Sequence, residues 1–380
     1  MHQLLLSFCF ILLTIPSYAT WTKMADIPGP GRHRGTGIAI GNKGYIGLGH
    51  YNGTGNNIML DDWWEYDPSN NTWTQKADFP MVNYAPLAFG MSTKGYIGGG
   101  ITGGSSFYEF DPMLNTWTPK ASLPSAITDS QGFVIDDKAY YFDNGQTYEY
   151  DPSIDNWTTK GPTPFGIVSW NTAFVIGDKG YIQDYTSSGV IFYEYKPLTD
   201  SWLLRANFPG STPSATVGFS QNGKGYIVSG FGGGLSNVSS EFWMYNPNTN
   251  SWIQMEDFPG TSRRFASGFS IGDKAYFGIG TNGTNFSDFW CFDLLANSKE
   301  MGFIEFNCYP NPTSKDINIS WEIIGSIELK ITAATGVVMK SEKVHQNNFK
   351  IDCSLWPKGN YIVKLTSEKG EIFTKTLVVQ

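Results

Sequence analysis

Arginine is the scarcest charged residue in this chain, and it is placed unevenly. Only five occur: Arg32, Arg34, Arg205, Arg263 and Arg264. Four of them fall in two short segments, Gly31-Arg32-His33-Arg34-Gly35 and Ser262-Arg263-Arg264-Phe265. A guanidinium offers a planar fork of N–H donors that matches a carboxylate or a phosphate. Four of them on one rim repel, each pair by about 0.5 kcal/mol at ~8 Å in water. An anion among them relieves that repulsion. His50, Asp129 and Asp184 are the groups available to move a proton, although no two share a convincing spacing. Tyr51, Tyr84, Trp170 and Tyr185 are aromatic faces of the kind that stack on sugar rings. No Cys-x-x-Cys or His-Glu-x-x-His spacing occurs, so neither a metal nor a cofactor is expected.

Something must bring residues 32–34 and 263–264 together, and an internal repeat does so. A Trp-to-Pro segment recurs at Trp21–Pro28, Trp73–Pro80, Trp117–Pro124, Trp157–Pro164, Trp202–Pro209 and Trp252–Pro259. Before each later Trp runs an aromatic segment ending near Asp-Pro, as in Glu65-Tyr66-Asp67-Pro68 and Glu109-Phe110-Asp111-Pro112. A third segment, Lys-Gly-Tyr-Ile-Gly or close to it, centres on Tyr45, Tyr96, Tyr140, Tyr181, Tyr226 and Tyr276. Four short strands per unit, at a period of 40–50 residues, are propeller blades. The sixth aromatic segment, Phe289 to Leu294, has no Trp strand after it, and Trp21 to Pro28 has no blade before it. The economical solution is a six-bladed ring whose last blade takes one N-terminal strand. Blades one and six are then neighbours, and the four arginines share one mouth.

These signatures resemble the Kelch family over about residues 20 to 295. The departures at Asp143, Gln183-Asp184 and Lys196 weaken single repeats but not the set. The resemblance also implies a second reading of the arginines, as structural groups that hydrogen-bond loop carbonyls; both readings stay open here. Composition agrees with an all-β chain. Aromatic and charged residues are each 16%, Gly numbers 43, and the net charge is −8. There is no basic stripe of the kind a nucleic-acid binder carries.

Residues 1–19 read as an export signal. The apolar core from Leu4 to Ile15 is too short for a membrane span, and Ser17-Tyr18-Ala19 suits cleavage. No later stretch is apolar enough to span a membrane. After the propeller, taken as 20–298, residues 299–380 show period-two strands of a small Ig-like sandwich. Cys308 and Cys353 lie in this domain, either paired or as two small buried hydrophobes. Tyr309-Pro310-Asn311-Pro312, then Gly336, then Pro357-Lys358-Gly359-Asn360-Tyr361 look like the C-terminal sorting domain of the type IX secretion system of Bacteroidetes-type bacteria. That resemblance implies the secretion machinery as a partner, and a cell-surface or extracellular product. The expected function is a non-enzymatic binding module for a glycan or a protein. The alternative is a sugar enzyme similar to the exported Kelch mutarotases that act on sialic acid. A Kelch-type copper sugar oxidase is disfavoured, because no Tyr-His pair suits it and six blades is one short.

Overall fold

The computed structural model describes residues 20–293, apart from 54, 167–168 and 187–188, and residues 306–380, apart from 321–326, 345–347 and 368–371. The export segment expected at 1–19 lies outside these. The chain divides into two compact units at Leu294/Leu295.

The first unit is a six-bladed propeller of four-stranded antiparallel sheets. Blade one runs Thr36–Ile40, Lys43–Gly47, Trp63–Asp67 and Thr72–Gln75, from the axis outward. Blade six takes Ser267–Ile271, Lys274–Gly278 and Phe289–Asp293 from the end of the propeller, and Thr20–Lys23 from its start. Trp21 stands opposite Phe292 in that ladder. An N-terminal strand therefore closes the ring, as the unmatched segments require.

Contacts between neighbouring blades explain much of the repeat. Four of the six Trp indoles donate to the preceding blade: Trp73 to Ala25 O at 2.9 Å, Trp117 to Ala77 O at 2.9 Å, Trp157 to Ala121 O at 3.0 Å and Trp252 to Ala206 O at 2.8 Å, while those of Trp21 and Trp202 have no partner among the described residues. Two residues earlier, Asn71, Asn115, Asp155, Asp200 and Asn250 all adopt left-handed φ, which Asn and Asp tolerate best among non-glycine residues. Their side-chain oxygens accept backbone N–H groups of the blade before, from Ala25, Ala77, Ala121, Gly161 and Ala206. The Gly before the repeat Tyr is steric. A Cβ at Gly44 would lie 2.1 Å from the Phe269 ring of blade six, and one at Gly180 would lie 2.1 Å from Phe133 of blade three. At the closing blade, Trp21 packs against Phe242, Phe258, Phe277 and Phe292 at centroid distances of 5.1–6.0 Å.

Two ion pairs pin the loops that enter blades one and six. Arg32 is fully buried and forks onto Asp62, with Nη2 to Oδ2 at 2.7 Å. Its remaining N–H groups reach the carbonyls of Pro28 at 3.2 Å and Leu48 at 3.4 Å. Arg263, also fully buried, grips Asp288 at 2.8 Å and donates to Ile279 O at 3.0 Å and Thr261 O at 2.9 Å. Burial raises the Asp288 carboxyl, but its bonds with Arg263 outweigh burial and hold it below the usual range. The expectation that Arg32 and Arg263 face a ligand is corrected. Both guanidiniums are saturated inside the blades.

The described residues of the second unit form seven strands in two sheets. Asn307–Tyr309, Asp316–Ser320 and Asn348–Asp352 form one; Ile327–Ala333, Val338–Val344, Gly359–Ser367 and Ile372–Val379 form the other. Ile317, Leu329, Val363 and Leu377 fill the core between them. Among the motif residues, Asn311 clamps the last strand, donating to Thr376 O at 2.8 Å and accepting from Val378 N at 2.9 Å. Pro310 and Pro312 flank that clamp, Gly336 sits in a hairpin turn at φ 87°, and the Tyr361 hydroxyl donates to Pro357 O across the Gly359 turn. Cys308 and Cys353 are free thiols packed with this core, so the disulfide option is set aside.

Two predictions follow from these contacts. Arg32→Ala and Arg263→Ala each leave a carboxylate unpaired in the blade and cost about 3 kcal/mol of stability. Arg34→Ala, at the partly exposed mouth, costs under about 1 kcal/mol. Urea midpoints of the three variants test this, and equal losses would mean that Arg34 is structural too. Trp21→Ala costs about 3 kcal/mol, despite lying near the start of the chain, because it opens the closing blade. A loss below about 1 kcal/mol would show that the closing strand does not hold the ring.

Candidate functional site

The mouth is built on one register of the repeat. Arg34, Ala85, Asp129, Trp170, Ala215 and Phe265 each lie eleven residues before their repeat tyrosine. All six adopt left-handed φ, from 51° to 60°. Each donates its backbone N–H to the carbonyl of its equivalent one blade back. The distances are 2.7 Å for Ala85 to Arg34, 3.0 Å for Asp129 to Ala85, 2.7 Å for Trp170 to Asp129, 2.9 Å for Ala215 to Trp170, 3.3 Å for Phe265 to Ala215 and 3.0 Å for Arg34 to Phe265. The circle closes on itself. Left-handed backbone costs a non-glycine residue roughly 1–2 kcal/mol, so the side chains here are held against a local preference. Beneath the circle an axial cavity of about 180 Å³ opens. Gly37, Ala88, Gly132, Ala173, Gly218 and Gly268 line it in the innermost strands or directly before them, and their small size is what leaves the space.

Side chains of the circle fill its entrance. Arg34 reaches past the small Ala85 to Asp129 at 3.3 Å, and its guanidinium lies 4.2 Å from the Phe265 ring centroid. Trp170 reaches past Ala215 toward Phe265, with centroids 5.9 Å apart. Burial raises the Asp129 carboxyl, while Arg34, a hydrogen bond from Trp170 and His50 oppose the shift. Arg264, one residue before Phe265, has Nε and Nη1 buried with no hydrogen-bond partner among the described residues. Burial lowers its pKa, and so does the nearby Arg34.

His33, His50 and Tyr84 form a stack beside the arginines, with ring centroids 4.0 Å and then 4.1 Å apart. Asn285 holds His33 Nδ1 at 2.9 Å, and Asn57 holds His50 Nδ1. Burial first, then His50, push His33 down to about 3, and burial lowers His50 as well. Both imidazoles are neutral at pH 7. Among the described residues the charged groups at or beside this mouth are therefore Arg34, Asp129 and, behind them, Arg264, one positive charge in excess.

Of the five expected ligand residues the structure places Arg34 on the cavity wall and Arg264 and His50 near it without lining the cavity, and it withdraws Arg32 and Arg263 into the blades. His50 is buried, with Nε2 unpartnered. Of the four aromatic faces, Trp170 stays 36% exposed at the entrance and Tyr185 is exposed. Tyr84 is covered by His50, and Tyr51 is half-buried on an added hairpin of blade one. Asp184 is buried, and burial pushes its carboxyl up to about 6. It does not line the axial cavity. Phe265 and the two alanines were not singled out from sequence. The signal for them is the register: counting eleven residues back from each repeat tyrosine finds all six.

Comparisons agree with this architecture. Residues 307–380 match the family model described as the secretion system C-terminal sorting domain. No curated protein matches the chain. Among solved structures, one titled "Structure of YjhT" superposes with a TM-score of 0.59 at 16% identity, covering 71% of this chain and 97% of that one. At that identity the likeness is one of fold. The chain joins a six-bladed propeller to a type IX sorting domain that marks it for secretion.

Proposed function

We propose that this is an exported binding module, displayed on or released from the cell surface, that takes an acidic sugar at the axial mouth. One observation carries the reading: Arg34 and Asp129 pair at the cavity entrance, and just behind them Arg264, close enough to feel Arg34, keeps two buried N–H groups without a partner among the described residues. A buried donor without an acceptor costs about 1–3 kcal/mol, which a ligand carboxylate returns. The excess of one charge suits a monoanion. A cavity of about 180 Å³ is the size of a single ring, since an apolar cavity of about 150 Å³ holds benzene. Trp170 offers an exposed face for stacking. Ser130 Oγ, buried on the cavity wall without a partner, offers a hydroxyl contact.

A second reading is a mutarotase-type activity on the same sugar class, and Asp129 is what favours it. Its raised carboxyl is the acid–base group nearest the guanidiniums. Ligand-observed NMR on the mature chain separates the two. Saturation transfer to N-acetylneuraminic and glucuronic acids but not to glucose, lost at least about tenfold in Arg34→Ala and Arg264→Ala, supports a binding module. Faster exchange between anomers, abolished in Asp129→Asn, would make it an enzyme. No transfer from any acidic sugar would remove the site.

The sign of the pH dependence follows from the charges. As pH falls through the raised Asp129 pKa, the carboxylate is neutralised and the mouth goes from one excess positive charge to two. Affinity for an acidic sugar therefore rises as pH falls through the Asp129 titration and is flat there in Asp129→Asn. An affinity that falls over that range would exclude Arg34 and Arg264 as the anion site. Export has its own test: deleting residues 307–380 leaves the propeller in the periplasm, read by fractionation, and surface delivery without them would refute the assigned role.

A further inference from the structure

Blade four departs from the other five along its outer edge. The residue after the repeat Trp is Thr22, Thr74, Thr118 or Thr158 in four blades and Ile253 in blade five, but Leu203 here. The next is Lys23, Gln75, Pro119, Thr159 or Gln254 elsewhere, but Leu204 here. Both leucines sit on the edge strand Ser201–Leu204, 45% and 58% exposed. An edge strand presents unpaired backbone N–H and C=O groups, and proteins blunt such edges with Lys, Pro or short polar strands. Lys23 and Pro119 do that in blades six and two. Blade four carries no such device on this strand.

Charge departs at the same place. In blades one, two, three and six, an Asp ending the third strand pairs with a Lys at, or in blade two just before, the start of the second: Asp67 with Lys43, Asp111 with Lys94, Asp151 with Lys138 and Asp293 with Lys274. Blade four has Lys196 in that Asp position. Its three cations share the buried Glu194, with Lys179 and Lys196 each at 3.8 Å and Arg205 Nε at 2.9 Å. The edge's other carboxylate, Asp200, is taken up by the Tyr195 hydroxyl at 2.7 Å and the Gly161 N–H at 2.7 Å. The two lysines remain partly exposed while Glu194 does not. A chain of net charge −8 thus shows leucines on this edge strand and ammonium groups at the end of the strand beside it and the start of the next one in.

We infer that the outer edge of blade four receives an extended, acidic and apolar segment of a partner polypeptide as a fifth strand. Main-chain hydrogen bonds hold the added strand, the leucines take its apolar side chains, and Lys179 and Lys196 take its carboxylates. A second copy of this chain fits poorly, because pairing the edge with itself sets like charges side by side.

The test uses the mature chain and a fluorescein-labelled peptide of alternating Glu and Val, about ten residues long, read by anisotropy. Saturable binding is expected, weakened at least about tenfold by high salt. L203T/L204Q, which installs the pair found in blade one, weakens it by a similar factor while leaving the melting temperature unchanged. The peptide N-methylated at alternate residues does not bind, because the strand ladder is blocked. The inference is overturned by equal binding of the methylated peptide or of a Lys–Val peptide, or by an unaffected double variant. It is equally overturned if L203T/L204Q instead abolishes a concentration-dependent dimer or adsorption to phosphatidylglycerol vesicles. Arg34→Ala has no effect on peptide binding, so failure at this edge is separate from failure at the mouth.

Discussion

Six backbone hydrogen bonds run head to tail round the axis, each joining one blade to the next through a residue in left-handed conformation. The circle is complete only when all six blades are present. The sixth exists only when Thr20–Lys23 pairs with Phe289–Asp293, residues from the two ends of the propeller. The geometry of the mouth therefore depends on a strand pairing at the outer edge. That coupling explains why a binding surface made of loops can be rigid here. Its loops are not free ends but links in a closed ring.

The same circle also explains how the site is differentiated. The backbone role is identical in all six positions, so it does not dictate the side chain. Ala85 and Ala215 are the small members, and each lets its two neighbours meet above it: Arg34 with Asp129, and Trp170 with Phe265. The entrance divides into a charged half and an aromatic half by the placement of two alanines. Deeper positions have no such freedom, since six small residues must line the axis for any cavity to remain.

Repeat architecture makes departures informative. Where four blades carry a Tyr–Glu pair with a lysine or arginine beside it, as Tyr45 with Glu65 and Tyr96 with Glu109, the triad is interior structure. Blade five replaces that Glu with Met244 and blade six with Cys291, and Cys291 remains a buried thiol whose pKa burial pushes up to about 11. In these two blades apolar packing replaces an ion pair. Blade four keeps its Glu and gains exposed leucines and a lysine, which is a change of surface rather than of core.

Much of the molecule was legible before any coordinates. Period and count alone determined six blades, the closing N-terminal strand and the sandwich after it, because each repeat must bury its aromatic face against a neighbour. The Trp, the Asn or Asp two residues before it in five copies, and the Gly before the Tyr in four blades, with Ala139 and Ala275 in the other two, recur because they pack or bond one blade to the next. What sequence did not separate was Arg32 from Arg34, or Arg263 from Arg264. All four share a residue type and two adjacent loops. Asp62 and Asp288, far along the chain, reach back only in the folded blade and take Arg32 and Arg263 inside. Among the described residues Arg34 and Arg264 meet no such carboxylate within their own blades, and Arg34 pairs with Asp129 two blades on. Burial and pairing between distant residues are properties of the closed structure, and they decide which arginines remain for a ligand.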